Sequence, residues 1–449
     1  MVRVPWECIG LCVLTYIMVH VSCQAPITAH VCLERINVRV ITCSLPYLQE
    51  DRHFEEWKTS DCGVVLGLAA LAAAVGYGVH GPMIDRFGVV FGLSTALGGC
   101  SLGAALIATA RTQGAFVTGA VLIRFSYAAG WPSEMKALKL LVPEEFQGLA
   151  VSALGFASRG GAILGRSLFG VLLQSFTWRQ IAWQAARVLL IVGGIAVLLI
   201  QGLVASAAKK APSAVPKPVR GLRDLLQEPS VWLVTAAFSC LCHVQHADDF
   251  MPLLFQGLTK SKNATIWSCV YPGGGITAMV LNTWKGNLLQ RRQREQLYVT
   301  SSVLAASLLT LLLFIPAGEA DESIDRTIIA AVLLFFVAFC CAVPYYLVPN
   351  LFAFDLMGTE CATLIGFFEM TSFSSMMPAH MVLLRIAGDW GWTWGVLQMA
   401  LTTAGAAGFL ALALPRWRGL IGLPRGVIED GHVAGYTRFN SRGAQEKLH

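Results

Sequence analysis

Five ionisable residues occur inside long apolar stretches of this sequence, where ionisable residues are uncommon. They are Arg39, Arg124, Arg159, His243 and Glu369. A charged side chain at the middle of a membrane-spanning helix costs about 3 kcal/mol or more, so such residues are functional candidates by default. At about 1.5 Å of rise per residue, all five fall near the middle of their stretches. They predict a polar cavity at the centre of a helical bundle.

Two of these arginines are candidates for anion binding. A guanidinium offers paired donors to a carboxylate or phosphate, so we expect Arg39 and Arg159 to contact an anionic ligand. Arg35 precedes Arg39 by four residues on the same helix face and is expected to join it. Glu369 belongs to the same predicted ligand-binding set. The alternative is that the two arginines form buried ion pairs with Glu34 or Glu369.

Three titratable residues follow one another at a spacing of three in one apolar stretch: His243, His246 and Asp249. Histidine titrates near neutrality, and a neighbouring carboxylate tunes its proton affinity, so this run predicts proton coupling. We also expect His243 to contact the bound ligand. The alternative is that His246 and Asp249 only form a hydrogen bond with one another and do not take part in proton coupling.

The composition excludes most soluble classes of protein. The chain has 449 residues, of which 55% are hydrophobic and 13% charged, and its net charge is +6. Ordinary soluble domains carry about 25% charged residues. A cytosolic enzyme, a disordered protein and a secreted disulfide scaffold are therefore excluded. The 13 cysteines form no CxxC pair and no spaced Cys/His set, so neither a metal site nor a cofactor is predicted.

The apolar runs predict an all-α membrane protein with twelve transmembrane helices. A span needs about 20 apolar residues to cross the hydrocarbon core. Eleven runs meet this need, at 62–80, 89–110, 114–132, 147–175, 182–206, 231–256, 264–283, 297–316, 326–349, 358–385 and 391–414. Residues 24–48 supply a more polar twelfth. Residues 8–22 are a cleaved signal, an extra span or the start of a long first helix, and the sequence leaves this open.

A Lys-, Pro- and Ser-rich stretch divides these spans into six and six. The predicted parts are an N-terminal apolar segment 1–23, a bundle 24–205, a linker 206–230, a second bundle 231–414 and a tail 415–449. Lysine and arginine concentrate in the linker, in the tail and in the loops on the same side of the membrane as these two segments. Because such residues stay cytosolic, we expect both termini on the cytosolic side of the membrane. The host membrane is expected to be the plasma membrane or an endomembrane.

One loop resembles the signature of the major facilitator superfamily, Gly-x-x-x-Asp-Arg-x-Gly. It reads Gly81-Pro82-Met83-Ile84-Asp85-Arg86-Phe87-Gly88. The glycines Gly81 and Gly88 permit a tight turn, and Asp85 can meet a helix N-terminus and basic groups, which latches the outward-open state. Arg86 is predicted to take part in gating together with Gly81, Asp85 and Gly88. The stretch 124–130 resembles the superfamily's fourth-span arginine motif, and Arg124 is expected to gate or to pair within its own bundle.

Further stretches resemble the organophosphate:phosphate antiporter family, of the glycerol-3-phosphate and glucose-6-phosphate transporter type. They are Leu45-Pro46-Tyr47-Leu48-Gln49-Glu50, Gly130-Trp131-Pro132, Phe176-Thr177-Trp178-Arg179, Leu225-Leu226-Gln227-Glu228-Pro229 and Asp249-Phe250. The resemblance implies a monomeric secondary active transporter that exchanges a phosphorylated metabolite for phosphate by alternating access. Its partners would be a small-molecule solute and the lipid bilayer, with no nucleic acid and no cofactor. The loops are short and contain no HExxH or GxSxG motif, so no enzymatic activity is predicted.

The family's phosphate-binding residues are only partly present. Its two adjacent basic residues in the first span align with Val38 and Arg39, and its basic residue in the seventh span aligns with Val244. Its fifth-span histidine aligns with Ser158. Two alternatives therefore stay open. One is a facilitator or proton-coupled carrier of a carboxylate, sugar or amino acid, and the other is a solute receptor that does not transport.

Overall fold

The computed structural model describes residues 59–172, 175–210, 222–259, 267–285, 289, 291–314 and 324–422, and every regular element among them is helical. The predicted first span at 24–48, with Arg35 and Arg39, lies outside the described residues. The N-terminal apolar segment, residues 211–221 of the linker and the tail beyond residue 422 also lie outside them.

The N-terminal half contributes six described helices. They are α1 (Thr59–Phe87), α2 (Val89–Thr109), α3 (Gln113–Tyr127), α4 (Gly130–Leu141), α5 (Glu144–Leu172) and α6 (Trp178–Lys210). Their ends follow local chemistry. Thr112 caps α3, because its side chain accepts the Ala115 backbone N–H at 3.2 Å. Gly88 separates α1 from α2 with φ of 91°, a backbone conformation that favours glycine.

The C-terminal half begins after a helical turn at Leu222–Leu225. Its described helices are α7 (Pro229–Gln245), α8 (Met251–Thr259), α9 (Val270–Lys285), α10 (Arg291–Leu312), α11 (Ile324–Met357), α12 (Cys361–Trp390) and α13 (Trp392–Gly422). Two 3₁₀ turns interrupt the series, His246–Asp249 and Gly358–Glu360. Gly391, with φ of 93°, separates α12 from α13.

Two predicted spans are interrupted in the structure. The span predicted at 114–132 is built from α3 and α4, and it continues to Leu141. Pro132 lacks the N–H that would bond the Ala128 carbonyl, which accounts for a break here. The span predicted at 231–256 is divided by the His246–Asp249 turn, where the Phe250 N–H bonds the Ala247 carbonyl at 3.1 Å. This tighter bonding replaces one turn of α-helix.

Small residues let neighbouring helices approach closely within each half. A Cβ on Gly103 of α2 would lie 2.8 Å from the Gly119 carbonyl oxygen of α3. A Cβ on Gly274 of α9 would lie only 2.0 Å from the Phe335 carbonyl oxygen of α11. Only glycine fits at these crossings. Such backbone contact is typical of helices that associate in a membrane, where small residues lie at interfaces.

The outer surface is apolar. Helix α6 exposes a row of apolar side chains, Leu190, Ile191, Ile195, Leu198 and Leu199. Contact of such a row with water is unfavourable. By length and composition, five helical stretches among the described residues are apolar enough to cross a bilayer. The exposed leucine and isoleucine side chains of α6 are therefore placed where lipid chains would contact them.

Candidate functional site

Arg159 is buried between the two halves. Its side chain projects from α5, is 5% exposed and donates from Nε to the Tyr346 hydroxyl of α11 at 3.0 Å. The Tyr346 hydroxyl in turn donates to Ser158 Oγ at 3.3 Å. With its amide oriented to satisfy hydrogen bonding, Gln245 of α7 accepts from Arg159 Nε and Nη2 at 3.2 Å each. One guanidinium therefore joins α5 of the first half to α7 and α11 of the second.

Rings from both halves form a continuous series, here named the aromatic band, that includes Tyr346, whose ring centroid lies 5.9 Å from the Arg159 guanidinium carbon. Its members are Tyr77, Phe373, His246, Tyr345, Tyr346 and Trp131. The Tyr77 and Phe373 centroids lie 5.4 Å apart, and those of Trp131 and Tyr346 lie 5.8 Å apart. Because each of these two contacts pairs one ring from either half, the band crosses the interface twice.

The predicted titratable run is divided by the break in its helix. His243 is buried on α7, and His246 lies on the 3₁₀ turn, where its Nε2 is 3.3 Å from the Tyr345 hydroxyl. His246 also packs edge to face on Phe373, with centroids 5.3 Å apart. The side chain of Asp249 lies outside the described part of the chain. The structure therefore joins His246 to the aromatic band, and the predicted pairing with Asp249 stays a prediction.

Glu369 is buried on α12, with 6% exposure. Among the described residues its carboxylate forms no ion pair, and Arg159 bonds the neutral groups of Tyr346 and Gln245 instead. Nearby on the same helix, Ser372 Oγ lies 3.3 Å from Ser239 Oγ of α7. A cationic and an acidic side chain are thus both buried near the bundle centre without neutralising one another.

Asp85 closes one end of the bundle. Its Oδ2 accepts from the Thr363 backbone N–H and from the Thr363 hydroxyl, both at 2.6 Å. Its Oδ1 forms an ion pair with Lys136 Nζ at 3.0 Å. Thr363 lies in the first turn of α12, where free N–H groups and the helix dipole favour a negative charge. The carboxylate thus binds a helix end of the opposite half, and this end is called the Asp85 end below.

The backbones of α1 and α12 are in contact beside this carboxylate. A Cβ on Gly366 would lie 2.6 Å from the Tyr77 carbonyl oxygen, and one on Gly81 would lie 2.8 Å from the Ala362 carbonyl oxygen. These distances leave no room for a side chain or a solute. The two halves are therefore closed against one another at the Asp85 end.

The remaining predicted gating residues lie away from this contact. Arg86 is exposed, and its guanidinium lies 5.3 Å from the centroid of the Phe87 ring. Gly88 supplies the turn between α1 and α2. Arg124 is half-buried on α3, and in the described part of the chain it forms no ion pair.

A second ionic cluster lies within the C-terminal half and was not predicted. Asp355 accepts from Trp417 Nε1 at 3.1 Å and lies 3.6 Å from Arg291 Nη2. Glu295 pairs with Arg291 at 3.3 Å and with Arg418 at 2.9 Å. The cluster holds the start of α10 against the ends of α11 and α13.

A sequence signal for this cluster exists. The stretch Gly286-Asn287-Leu288-Leu289-Gln290-Arg291 repeats the spacing of Gly81-Pro82-Met83-Ile84-Asp85-Arg86, with Gln290 in place of Asp85. A glutamine carries no charge for a helix N-terminus. The arginine of the repeat instead bonds the acidic residues of its own half. Tyr346, Gln245 and Thr363 gave no such signal, because nothing local marks them as partners of a distant charge.

Comparison with known proteins identifies the family. The sequence pattern of the Major Facilitator Superfamily matches residues 31–380, which is most of the chain. The protein therefore belongs to the Major Facilitator Superfamily, a family of membrane transporters. No curated protein matches the sequence significantly.

Solved structures of this superfamily share the fold at low sequence identity. The human organic anion transporter MFSD10 (TETRAN) is 13% identical with a TM-score of 0.65, covering 91% of this chain and 100% of that one. The E. coli fucose:proton symporter FucP is 14% identical with a TM-score of 0.61, covering 90% and 97%. The proton:xylose symporter XylE is 13% identical with a TM-score of 0.59, covering 91% and 99%. The predicted all-α membrane fold of the major facilitator type is confirmed.

Proposed function

We propose that this protein transports a small organic anion across a membrane by alternating access, with Arg159 as the anion-binding residue. The observation that carries the proposal is the buried guanidinium of one half that hydrogen-bonds Tyr346 and Gln245 of the other. The planar guanidinium of Arg159 offers paired donors that suit an anionic group. Arg39 and Arg35 of the predicted first span would add to it.

The closure at the Asp85 end supports alternating access. Asp85, Gly81 and Gly366 hold α1 against α12 there, so a solute reaches Arg159 from the opposite end. Rocking the halves about the site would separate Asp85 from Thr363 and expose the other side. The excess of basic residues at the Asp85 end supports a cytosolic orientation for that end, with both termini cytosolic.

For the substrate, we propose a phosphorylated metabolite exchanged for inorganic phosphate. Support comes from the Gly130-Trp131-Pro132 and Phe176-Thr177-Trp178-Arg179 stretches and from a guanidinium that suits phosphate geometry. The chain would act as a monomer of two bundles, 24–205 and 231–414, in the plasma membrane or an endomembrane.

Glu369 favours a second candidate, a proton-coupled carrier of a carboxylate or sugar. An ionised acidic group buried near the solute repels a doubly charged phosphate. A carboxyl that binds and releases a proton could instead couple proton movement to transport of the solute. His243 and His246 would serve the same cycle. Two similar structures are, by their titles, proton symporters of fucose and xylose, and one is an organic anion transporter.

Counterflow in proteoliposomes distinguishes these candidates. Vesicles loaded with phosphate are challenged with labelled glucose 6-phosphate and glycerol 3-phosphate, and in parallel with unphosphorylated sugars and carboxylates. Uptake confined to phosphorylated compounds supports phosphate exchange. Uptake of carboxylates or sugars that grows with an imposed proton gradient supports the second candidate. A protein that binds these compounds without moving them would be a receptor.

A further inference from the structure

Glu134 is the most completely buried carboxylate among the described residues and has no role in the solute site. It lies on α4 with 0% exposure, and neither Oε1 nor Oε2 has a hydrogen-bond partner in the described part of the chain. An ionised carboxylate without a partner is strongly unfavourable in apolar surroundings, whereas a neutral carboxyl loses much less. This burial favours a bound proton.

Two contacts place α4, which carries Glu134, against the other half. The rings of Trp131 and Tyr346 lie 5.8 Å apart, and Lys139 Nζ lies 5.6 Å from the Phe354 ring centroid. Both contacts join α4 to α11, and they are eight residues apart on each helix. The two helices therefore run in the same direction over this stretch. Glu134 follows Trp131 by three residues, on the same face of α4.

Asn350 lies on the facing stretch of α11. It follows Tyr346 by four residues, so it occupies the same face one turn further along. Asn350 is 2% exposed, and its Nδ2 donates to the Tyr346 carbonyl at 2.6 Å, while its Oδ1 has no partner among the described residues. Near these two helix contacts, three acceptor oxygens, both of Glu134 and Oδ1 of Asn350, thus have no hydrogen-bond partner among the described residues. One proton on Glu134 would let its O–H donate to Asn350 Oδ1.

Other ionisable groups do not neutralise Glu134. On the elements packed against α4, and on α11, these groups include His80, Asp85, Arg124, Arg159, Asp355, Glu360 and Glu369. In the described residues none of them bonds Glu134. Asp85 is bound by Lys136 and Thr363, and Arg159 by Tyr346. On α4 itself, Lys136 forms an ion pair with Asp85.

We propose that Glu134 is a proton-binding site coupled to opening of the Asp85 end. In the closed conformation the carboxyl is protonated and its O–H donates to Asn350 Oδ1. Lys136, two residues along α4, forms an ion pair with Asp85, so opening this end disturbs α4 and admits water to Glu134. The proton then leaves to water. This inference goes beyond the proposed function, because it requires no particular solute.

Infrared spectroscopy of the purified full chain tests the proton directly. The spectrum of wild type minus that of Glu134→Gln should contain the C=O stretch of a protonated carboxyl at neutral pH. Glu145→Gln, an exposed change near the same end, should leave this region unchanged. Asn350→Leu should shift the band to higher wavenumber, and this needs no Glu134 variant to fold. If the band is identical in wild type and Glu134→Gln, and Asn350→Leu does not move it, the proposal is overturned.

The coupling is tested by weakening the Asp85 contact. Thr363→Val removes one of the two hydrogen bonds to Asp85 Oδ2 and favours opening. Because the open form is proposed to hold the ionised carboxylate, the Glu134 band should disappear at a lower pH than in wild type. Proton binding and closure influence one another reciprocally. An unchanged midpoint would overturn the coupling.

Discussion

Asp85 and Thr363 lie 278 positions apart in the chain, and the Asp85 carboxylate bonds both the backbone N–H and the hydroxyl of Thr363. The contact joins the last turn of α1 to the first turn of α12, so it holds the two halves together. Lys136 fixes the second carboxylate oxygen. Separation of the halves at this end requires these bonds to break.

Asp85→Asn should loosen the closure. The amide keeps the shape but loses the charge that favours the α12 N-terminus, worth about 1 kcal/mol, and the ion pair with Lys136. Cys361, a free and fully buried thiol at the start of α12, reports the change. Its labelling by a hydrophilic thiol reagent, located by mass spectrometry, should accelerate severalfold. Labelling as slow as in wild type and in Glu145→Gln would argue against the contact as a latch.

Gly366→Ala should separate α1 from α12. The added methyl group would lie 2.6 Å from the Tyr77 carbonyl oxygen, so the helices must move apart at a cost of about 1–3 kcal/mol. We expect a lower midpoint of thermal unfolding and faster labelling of Cys361. Gly98→Ala on α2 is the matched control, since nothing lies within 4 Å of its added Cβ. Equal stability of the two variants would contradict the close approach.

Tyr346→Phe should weaken solute binding without unfolding the protein. The change removes the hydroxyl that accepts from Arg159 Nε and leaves the ring packed on Trp131. Loss of one hydrogen bond to a charged group, about 1.5 kcal/mol, corresponds to roughly tenfold. The Michaelis constant for counterflow should rise by that factor. Tyr298→Phe on α10, outside the aromatic band, should not change it, and equal effects would remove Tyr346 from the site.

Glu369→Gln distinguishes the two candidate substrates. For phosphate exchange, removal of a buried negative charge near the solute should increase affinity for the anion severalfold. For proton-coupled transport, uptake driven by a proton gradient should be lost while counterflow persists. Measuring both activities on one preparation decides between them.

Helix positions could be predicted closely because apolar composition dominates the spans. The run at 89–110 became α2 (Val89–Thr109). The run at 391–414 extended to Gly422, because Arg418 pairs with Glu295 and keeps the helix intact beyond the apolar part. Arg159 and Glu369 could be predicted as site candidates because they are ionisable residues inside apolar runs.

Partners of these residues could not be predicted from sequence. Tyr346 and Gln245 are polar groups within apolar runs, and they bind Arg159 only because α7 and α11 pack beside α5. The alternative pairing of Arg159 with Glu369 depended on the same long-range packing. Local periodicity carries no information on which helices become neighbours across the two halves.

Counterflow by Arg159→Gln tests whether an anion binds to Arg159 during transport. Glutamine retains hydrogen bonding but removes the charge. Arg111→Gln, an exposed change in the turn after α2, is the control. We predict that Arg159→Gln folds and loses anion counterflow, while Arg111→Gln transports as wild type does. Unchanged counterflow and affinity in Arg159→Gln would show that Arg159 does not bind the transported anion.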